Sequence, residues 1–344
     1  MKTRNYGIDV IKGICILLVV LCHTVLFENL PTVLARIANG VFLNLFFMVS
    51  GYLAWKPDSE DKNVYLKRIG KRFKSLIVPY IVFSLGTILW HIIICVGFHN
   101  TLVCENYTGW KVIERDIFCT FSGSGIGTLW FLPVLFLSFS LLQIILIILR
   151  KQGKLLRYGV LVILGLILIV ISRVVIDIHF DTVNLIGKIK DEYMYMLYRI
   201  CYGTGYSLLG YVFHGIWAFT EGKPKRFQFI MAFEAVTGVM GVVTYLMPDS
   251  HGMFDLSANI FVMVMILALF ESELKERLCK WMAPLIFCGQ NSLSITIYHY
   301  LFFYPVEKLW FDGWLLFAVN LLTTVALILL VRNQKWHKKA LGAS

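Results

Sequence analysis

The sequence predicts an all-α fold, a polytopic membrane helix bundle of about ten transmembrane helices, and three observations carry that prediction. Hydrophobic residues make up 58% of the 344-residue chain and its mean hydropathy is +0.73, whereas soluble domains are roughly 45–50% apolar. The apolar residues are gathered into runs of about the length a helix needs to cross a bilayer. Between the runs lie short segments that hold most of the Lys and Arg. A formal charge of +11 would point to nucleic acid in a soluble chain. Here the distribution follows membrane topology instead, so no nucleic-acid partner is expected.

The runs occupy residues 8–27, 41–55, 75–97, 128–149, 158–176, 198–220, 227–247, 256–270, 285–305 and 314–331. The second and eighth are short and also read as re-entrant or tilted elements. With the N-terminus inside, the alternate segments 2–4, 56–74, 150–157, 223–226, 275–280 and 332–339 hold 23 basic residues, and the outer ones hold six. This bias predicts both termini in the cytoplasm of a multi-pass cell-membrane protein. The first run has no small-residue cleavage site, so it is expected to stay as span one rather than leave as a signal peptide. Residues 1–344 are expected to form one domain, with no transporter-like inverted repeat. Eight cysteines without CxxC spacing support neither a metal site nor a redox motif.

Span one carries an acid, Asp9, a base, Lys12, and an imidazole, His23, within apolar sequence. Such groups are costly in lipid and belong against a protein interior or a watered cavity. Asp9 and Lys12 are three residues apart and able to pair on one face. Lys12 and His23 are eleven apart, so they share that face at a separation of roughly 16 Å. A neutral imidazole is suited to take a proton from a hydroxyl, which makes His23 the candidate general base. Lys12 is suited to an anionic or carbonyl-rich part of a long substrate, and the plainer reading is an Asp9–Lys12 pair at a helix start.

Past span two, which ends in Ser50-Gly51-Tyr52, comes the basic segment 56–74. Arg68, Lys71 and Arg72 recur there at helical spacing, so a helix would present them together, as a polyphosphate headgroup requires. Positive-inside charge and anionic lipid are the competing explanations. The outer segment 98–127 contains Cys104 and Cys119, a candidate disulfide in an oxidising exterior. Its Gly/Ser run 122–127 reads as a flexible hinge, because no P-loop Lys follows. Trp130 opens span four, where packing and interfacial anchoring are the default roles. Arg173 and Arg199 read as snorkelling to the outer interface, and His91 and His214 as structural. In span nine, Asn291 and Ser292 read as helix-capping residues. Ser292 and His299 lie about 10 Å apart along one helix face, too far to form a nucleophile pair; His299 is a secondary candidate for substrate contact.

In their order, these residues resemble a known family. Arg4-Asn5-Tyr6-x-Ile8-Asp9-x-x-Lys12-Gly13 followed by His23 resembles the first-span signature of the integral-membrane acyltransferase family 3, a basic residue and a His with ten residues between them. Phe46-Phe47-x-x-Ser50-Gly51-Tyr52, the Arg68/Lys71/Arg72 cluster before Pro79, Leu129-Trp130-Phe131-Leu132 and Gly289-x-Asn291-Ser292-Leu293 extend the likeness over nearly the whole chain. The opening is most similar to the fucose 4-O-acetylase-like group. That group often carries a His-x-Pro step where Phe42 and Asn44 stand, and a His where Thr128 stands; if those histidines bind acceptor, the departures imply a different acceptor here.

The resemblance implies a membrane O-acyltransferase. It would move acetyl from cytoplasmic acetyl-CoA, a donor substrate rather than a bound cofactor, to a hydroxyl of a cell-surface glycan or its lipid-linked precursor. It implies His23 as base with Asp9 supporting Lys12, and donor or substrate contacts from Lys12, Arg68, Lys71, Arg72, Trp130, Ser292 and His299. Membrane lipid is the remaining partner. The alternative class is a transporter or flippase for a lipid-linked sugar or small solute, disfavoured by the missing repeat. A sensor module is the third, and only about a dozen residues follow span ten for it to use.

Overall fold

A computed structural model describes residues 4–24, 32–56, 61–97, 109–176, 178, 185–246, 251–307 and 313–341. Among them helix dominates and no strand occurs. The helices are α1 (Tyr6–Thr24), α2 (Thr32–Val41), α3 (Asn44–Ala54), α4 (Lys62–Arg72), α5 (Val78–His91), α6 (Trp110–Ser122), α7 (Phe131–Leu149) and α8 (Lys154–Ile176). They continue with α9 (Leu185–Thr220), α10 (Arg226–Leu246), α11 (His251–Glu271), α12 (Lys275–Trp281), α13 (Ala283–Gln290), α14 (Ser292–Glu307), α15 (Gly313–Val331) and α16 (Lys335–Ala340). Seven segments of the described chain are long and apolar enough to cross a membrane: Tyr6–Thr24, Lys62–Gly97, Trp110–Leu149, Lys154–Ile176, Arg226–Leu246, Phe254–Glu271 and Gly313–Val331.

Each of the ten predicted runs contains helix, but the runs differ in kind. The run at 41–55 is broken at Phe42 and Leu43 and yields only the 11-residue α3. At 1.5 Å per residue that is about 16 Å, half of a ~30 Å hydrocarbon core. Its residues from Asn44 to Tyr52 are all buried, so α3 is a core element and not an outer wall. The run at 285–305 is split at Asn291, whose side-chain amide donates to the Phe287 carbonyl (2.8 Å) and closes α13 before α14 begins. Asn291 therefore caps the helix before it, not the one it was expected to start.

Backbone proximity decides how α1 and α3 are held. A Cβ at Gly13 would overlap the Leu285 carbonyl, and one at Gly289 would overlap the Asp9 carbonyl, so α1 and α13 cross with main chains in contact. The second such crossing joins α3 to α9, with Gly51 against the Ser207 carbonyl and Gly210 against the Met48 carbonyl. Residues without side chains let helices approach this closely, and packing then replaces the hydrophobic effect that lipid cannot supply. Polar ties add specificity. His91 on α5 bonds Asp116 on α6, which also accepts from Arg115 (2.5 and 2.9 Å). Glu271 accepts from both Trp217 Nε1 (2.8 Å) and Arg226 Nη2 (2.6 Å), joining α9, α10 and α11. The outer surface is aliphatic, with Leu89, Ile163, Val170, Val239 and Leu322 exposed as a lipid-facing rim would be.

The crossings predict a contrast between glycines. Gly289→Ala should destabilise the protein by about 2 kcal/mol or more, because the added methyl meets backbone that cannot turn aside. Gly70→Ala, on the exposed side of α4 with open space around it, should stabilise by about 0.5–1 kcal/mol. Thermal unfolding of the two purified variants in one detergent checks both signs.

Candidate functional site

α1 packs against α13, α14 and α3, among others; Lys12 is half-buried on it, whereas His23 in its last turn is exposed. Asp9 is buried, and its direct partner is Arg4, through Nε (2.6 Å) and Nη2 (3.4 Å), with Gln290 Nε2 at 3.5 Å. The expected Asp9–Lys12 pair is thus not the bonded one. Side chains in a helix lean toward its N-terminus, so the first-turn carboxylate reaches back to the segment that precedes α1. The bond holds the Arg4 pKa above its ordinary value. Lys12 makes no hydrogen bond or ion pair among the described residues, although Asp9 lies within electrostatic range.

Lys12 instead lines a cavity of about 200 Å³ together with Arg72, Ser50, Ser75, Ser292 and Thr296, between the rings of Phe46 and Phe131. Arg72 lies over the Phe139 ring at 5.0 Å. The basic cluster expected from the sequence does not arrive as a unit. Arg68 stacks on Tyr65 of its own helix (5.1 Å) and Lys71 is exposed, leaving Arg72 as the cluster's cation at the cavity. The cause is local to α4, which carries all three residues before the π-helical turn at Phe73–Ile77 begins: Arg68 is held one turn back on Tyr65 and Lys71 points outward. Ser50, a packing residue by its place in the sequence, has a further aspect here. Its hydroxyl is buried, lines this cavity and has no partner among the described residues.

His23 stands in the last turn of α1, in a second cavity of about 150 Å³ bounded by Thr128, Trp130, Phe42 and Cys22. Phe46, Phe131 and Thr296 line both cavities, so the Lys12 and His23 ends of α1 face adjacent spaces with a common wall. Beside His23 lies His299 from α14, with ring centroids 5.5 Å apart. His299 is fully buried, and its Nδ1–H donates to the Ile295 carbonyl (2.7 Å). A carbonyl only accepts, so the proton sits on Nδ1 and the lone pair on Nε2. That Nε2 has no partner among the described residues. The sequence offers each histidine separately; their juxtaposition needs α14 to lie beside α1, which no spacing within one helix reveals.

The wall opposite is set by the 122–127 run, which is a closed turn rather than a hinge. The Gly125 N–H donates to the Cys119 carbonyl (2.9 Å). Gly127, at φ 55°, sits under the Tyr300 ring with no room for a Cβ. Thr128 then donates its hydroxyl to the Thr296 carbonyl (2.8 Å), fixing the start of α7 against α14. Cys104, the other half of the candidate disulfide, lies outside the described residues.

On the far side of Trp130 is a third and larger space of about 940 Å³, sharing Phe42, Leu43 and Trp130 with the His23 cavity. Arg36, Arg173, Arg199, Asp255, Tyr195, Tyr198 and Tyr202 line it. Arg173 and Arg199 therefore face a cavity inside the protein and do not simply reach for the interface. Arg173 is drawn in by Asp255 (2.7 Å), and Arg199 lies over the rings of Trp130 (4.0 Å) and Tyr195 (4.8 Å). Asp255 sits on α11 and Trp130 in the turn before α7, out of reach of a reading by spans.

Chemically, the arrangement joins a small cationic pocket, an imidazole pair and a large polar, aromatic cavity in series. A family model described as an acyltransferase domain matches residues 5–332. No curated protein and no solved structure matches the chain.

The cavities predict a labelling pattern. In single-cysteine variants a small methanethiosulfonate reagent should modify Cys22, which lines the His23 cavity, and should leave the fully buried Cys15 unmodified. Trp130→Ala should speed labelling of Cys22 several-fold, because it removes the partition to the larger space. Mass spectrometry of the intact protein reads both.

Proposed function

The chain belongs to that acyltransferase family, and from this premise we propose that it is a membrane O-acyltransferase moving acetyl from cytoplasmic acetyl-CoA to a hydroxyl of a cell-surface glycan or its lipid-linked precursor. The observation that carries the reading is the row of three neighbouring cavities, one at Lys12 and Arg72, one at His23 and the larger one beyond Trp130, each sharing wall residues with the next. An acyl-CoA thioester needs an anion-binding end and a channel for its thin arm, and a saccharide needs room. The three spaces supply these in that order.

In this scheme the cluster at Lys12 and Arg72 meets the phosphates or carbonyls of the donor, with Ser292 and the unpartnered Ser50 hydroxyl beside its arm. Arg68 and Lys71 remain as outlying donor contacts at the mouth. The acceptor hydroxyl approaches His23 past Trp130. His23 takes the hydroxyl proton as the oxygen attacks the thioester carbonyl. The new C–O bond replaces the C–S bond, and the proton passes to the departing CoA thiolate. His299 is a positioning group. Its Nε2, unpartnered among the described residues, would accept a ring N–H of His23 during the reaction and leave the other His23 nitrogen with its lone pair for the acceptor hydroxyl. Asp9 acts at a distance, holding Arg4 and softening the charge around Lys12. The basic-residue bias supports ten crossings with both termini cytoplasmic, which sets the Lys12 end toward the cytoplasm and the His23 end toward the exterior.

His23→Ala should lower kcat by about 10²–10⁴-fold, the span of a lost general base. Lys12→Gln should chiefly raise KM for acetyl-CoA. His299→Ala should lower kcat about tenfold with acetyl-CoA binding unchanged. Radiolabelled acetyl transfer by purified protein, with melting temperature as the control for folding, checks the set; full transfer by a folded His23→Ala protein would sink the assignment.

A further inference from the structure

The larger cavity carries a charge that its own residues leave unbalanced. Three guanidinium groups line it against one carboxylate, and that carboxylate, Asp255, is engaged by Arg173. Arg36 donates to the Tyr245 (2.8 Å) and Thr244 (3.3 Å) carbonyls and lies over the Tyr245 and Phe254 rings, so its partners are neutral. Arg199 is the least committed. Among the described residues it rests on the aromatic faces of Trp130 and Tyr195 and has no hydrogen-bond acceptor. Glu192, earlier on α9, is within electrostatic range but makes no bond to it.

Stacking fixes a guanidinium's plane while leaving its five N–H donors at the edges free. A group so held is preorganised for the two-pronged recognition of a carboxylate or phosphate. The same wall carries Tyr195, Tyr198 and Tyr202 at successive turns of α9, with neighbouring rings 5.9 and 5.7 Å apart. Aromatic faces in such a row suit the C–H faces of a sugar. At about 940 Å³ the space is large enough for a saccharide of one or two units.

We propose that this cavity binds an acceptor saccharide bearing a carboxylate or phosphate, with Arg199 as the principal anchor of that anion and Arg36, whose partners are neutral, supplying the surrounding positive field. The proposal rests on the acceptor side of the transferase reading and narrows its substrate class: the hydroxyl that reaches His23 past Trp130 belongs to an acidic sugar or to a sugar on a polyprenyl pyrophosphate.

The test measures equilibrium binding to the purified full-length protein, without donor, of three probes: a hexuronic-acid trisaccharide, a polyprenyl-pyrophosphoryl saccharide, and a neutral hexose trisaccharide. One or both anionic probes should bind at least tenfold more tightly than the neutral one, and raised salt should weaken only the anionic binding. Whichever anionic probe binds identifies the source of the charge. Arg199→Gln should remove most of the preference, and Arg199→Lys, which keeps charge but not the planar stack, should restore part of it. Equal binding of all three probes overturns the proposal, as does an unchanged preference in folded Arg199→Gln. If that variant does not fold, Arg199→Lys and the wild-type salt dependence decide instead. Acetyl transfer is then measured with the same probes. Arg199-dependent binding without any transfer sinks the transferase reading and leaves this one standing; efficient transfer to the neutral probe does the reverse.

Discussion

The constraint on which the structure turns is that Asp9, Lys12 and His23 cannot be left facing hydrocarbon. Each would cost at least about 2.5 kcal/mol near a bilayer centre if a basic or acidic group there found no partner. α1 therefore has to be wrapped on its polar side, and the Gly13–Gly289 crossing is how the chain achieves this. By letting α13 lie against the backbone of α1, it brings Gln290 to Asp9 at one end. The next helix along the chain, α14, brings His299 to His23 at the other. One side-chain-free contact thus sets two polar environments at opposite ends of α1.

Wrapping does not neutralise everything that it encloses. Lys12 and Arg72 share a small cavity with no bonded carboxylate among the described residues; the Ser50 hydroxyl on its wall is buried without a partner among them, and so is His299 Nε2 beside His23. A fold shaped only for stability would satisfy these groups, since an unpartnered buried polar atom costs about 1–3 kcal/mol. Some buried groups elsewhere are closed on one another, as in His91, Asp116 and Arg115 and in Trp217, Glu271 and Arg226, whereas others, such as the Gln143 amide and the Ser84 and Ser138 hydroxyls, have no partner among the described residues. What sets Lys12, Ser50 and His299 apart is their place beside α1, the first two on one cavity wall and the third against His23, where the proposed donor and acceptor would meet them.

How much of this is legible in the sequence depends on the range of each interaction. Helix class, apolar runs and the single polar face of α1 arise from periodicity within one segment, and the residues display it directly. The length of the second run is also visible, but the burial of Asn44 to Tyr52 is not, because it depends on α9 passing at Gly51. The Arg68/Lys71/Arg72 cluster is continuous on α4, yet Arg68 is held on the Tyr65 ring and Lys71 faces outward, which leaves Arg72 as its member at the cavity. Spacing favours a bond from Asp9 to the nearer cation on its own helix, yet side-chain direction selects Arg4. By depth alone, Arg173 and Arg199 are interface groups. Asp255 and Trp130, which hold them, come from segments distant in sequence and are found only once the helices are assembled.

The residues where the resemblance breaks down explain one another. Thr128 stands where a histidine occurs in the fucose 4-O-acetylase-like group, and its hydroxyl is spent on the Thr296 carbonyl, a bond internal to the wall. Asn44, in the other departing element, is buried with its amide donating to the Gly40 carbonyl (2.7 Å) and to Tyr206 (3.3 Å). Phe42 has no polar side-chain group to offer, although it lines both cavities on either side of Trp130. These three positions therefore strengthen the wall and leave little polar recognition to it. What remains to address an acceptor is the guanidinium set beyond Trp130, with Arg199 stacked on the same indole that bounds the His23 cavity. Under the proposed reading, an acceptor held there by its charge would lie against the indole that also bounds the His23 cavity, so a change of acceptor would need new contacts on only one face of that ring.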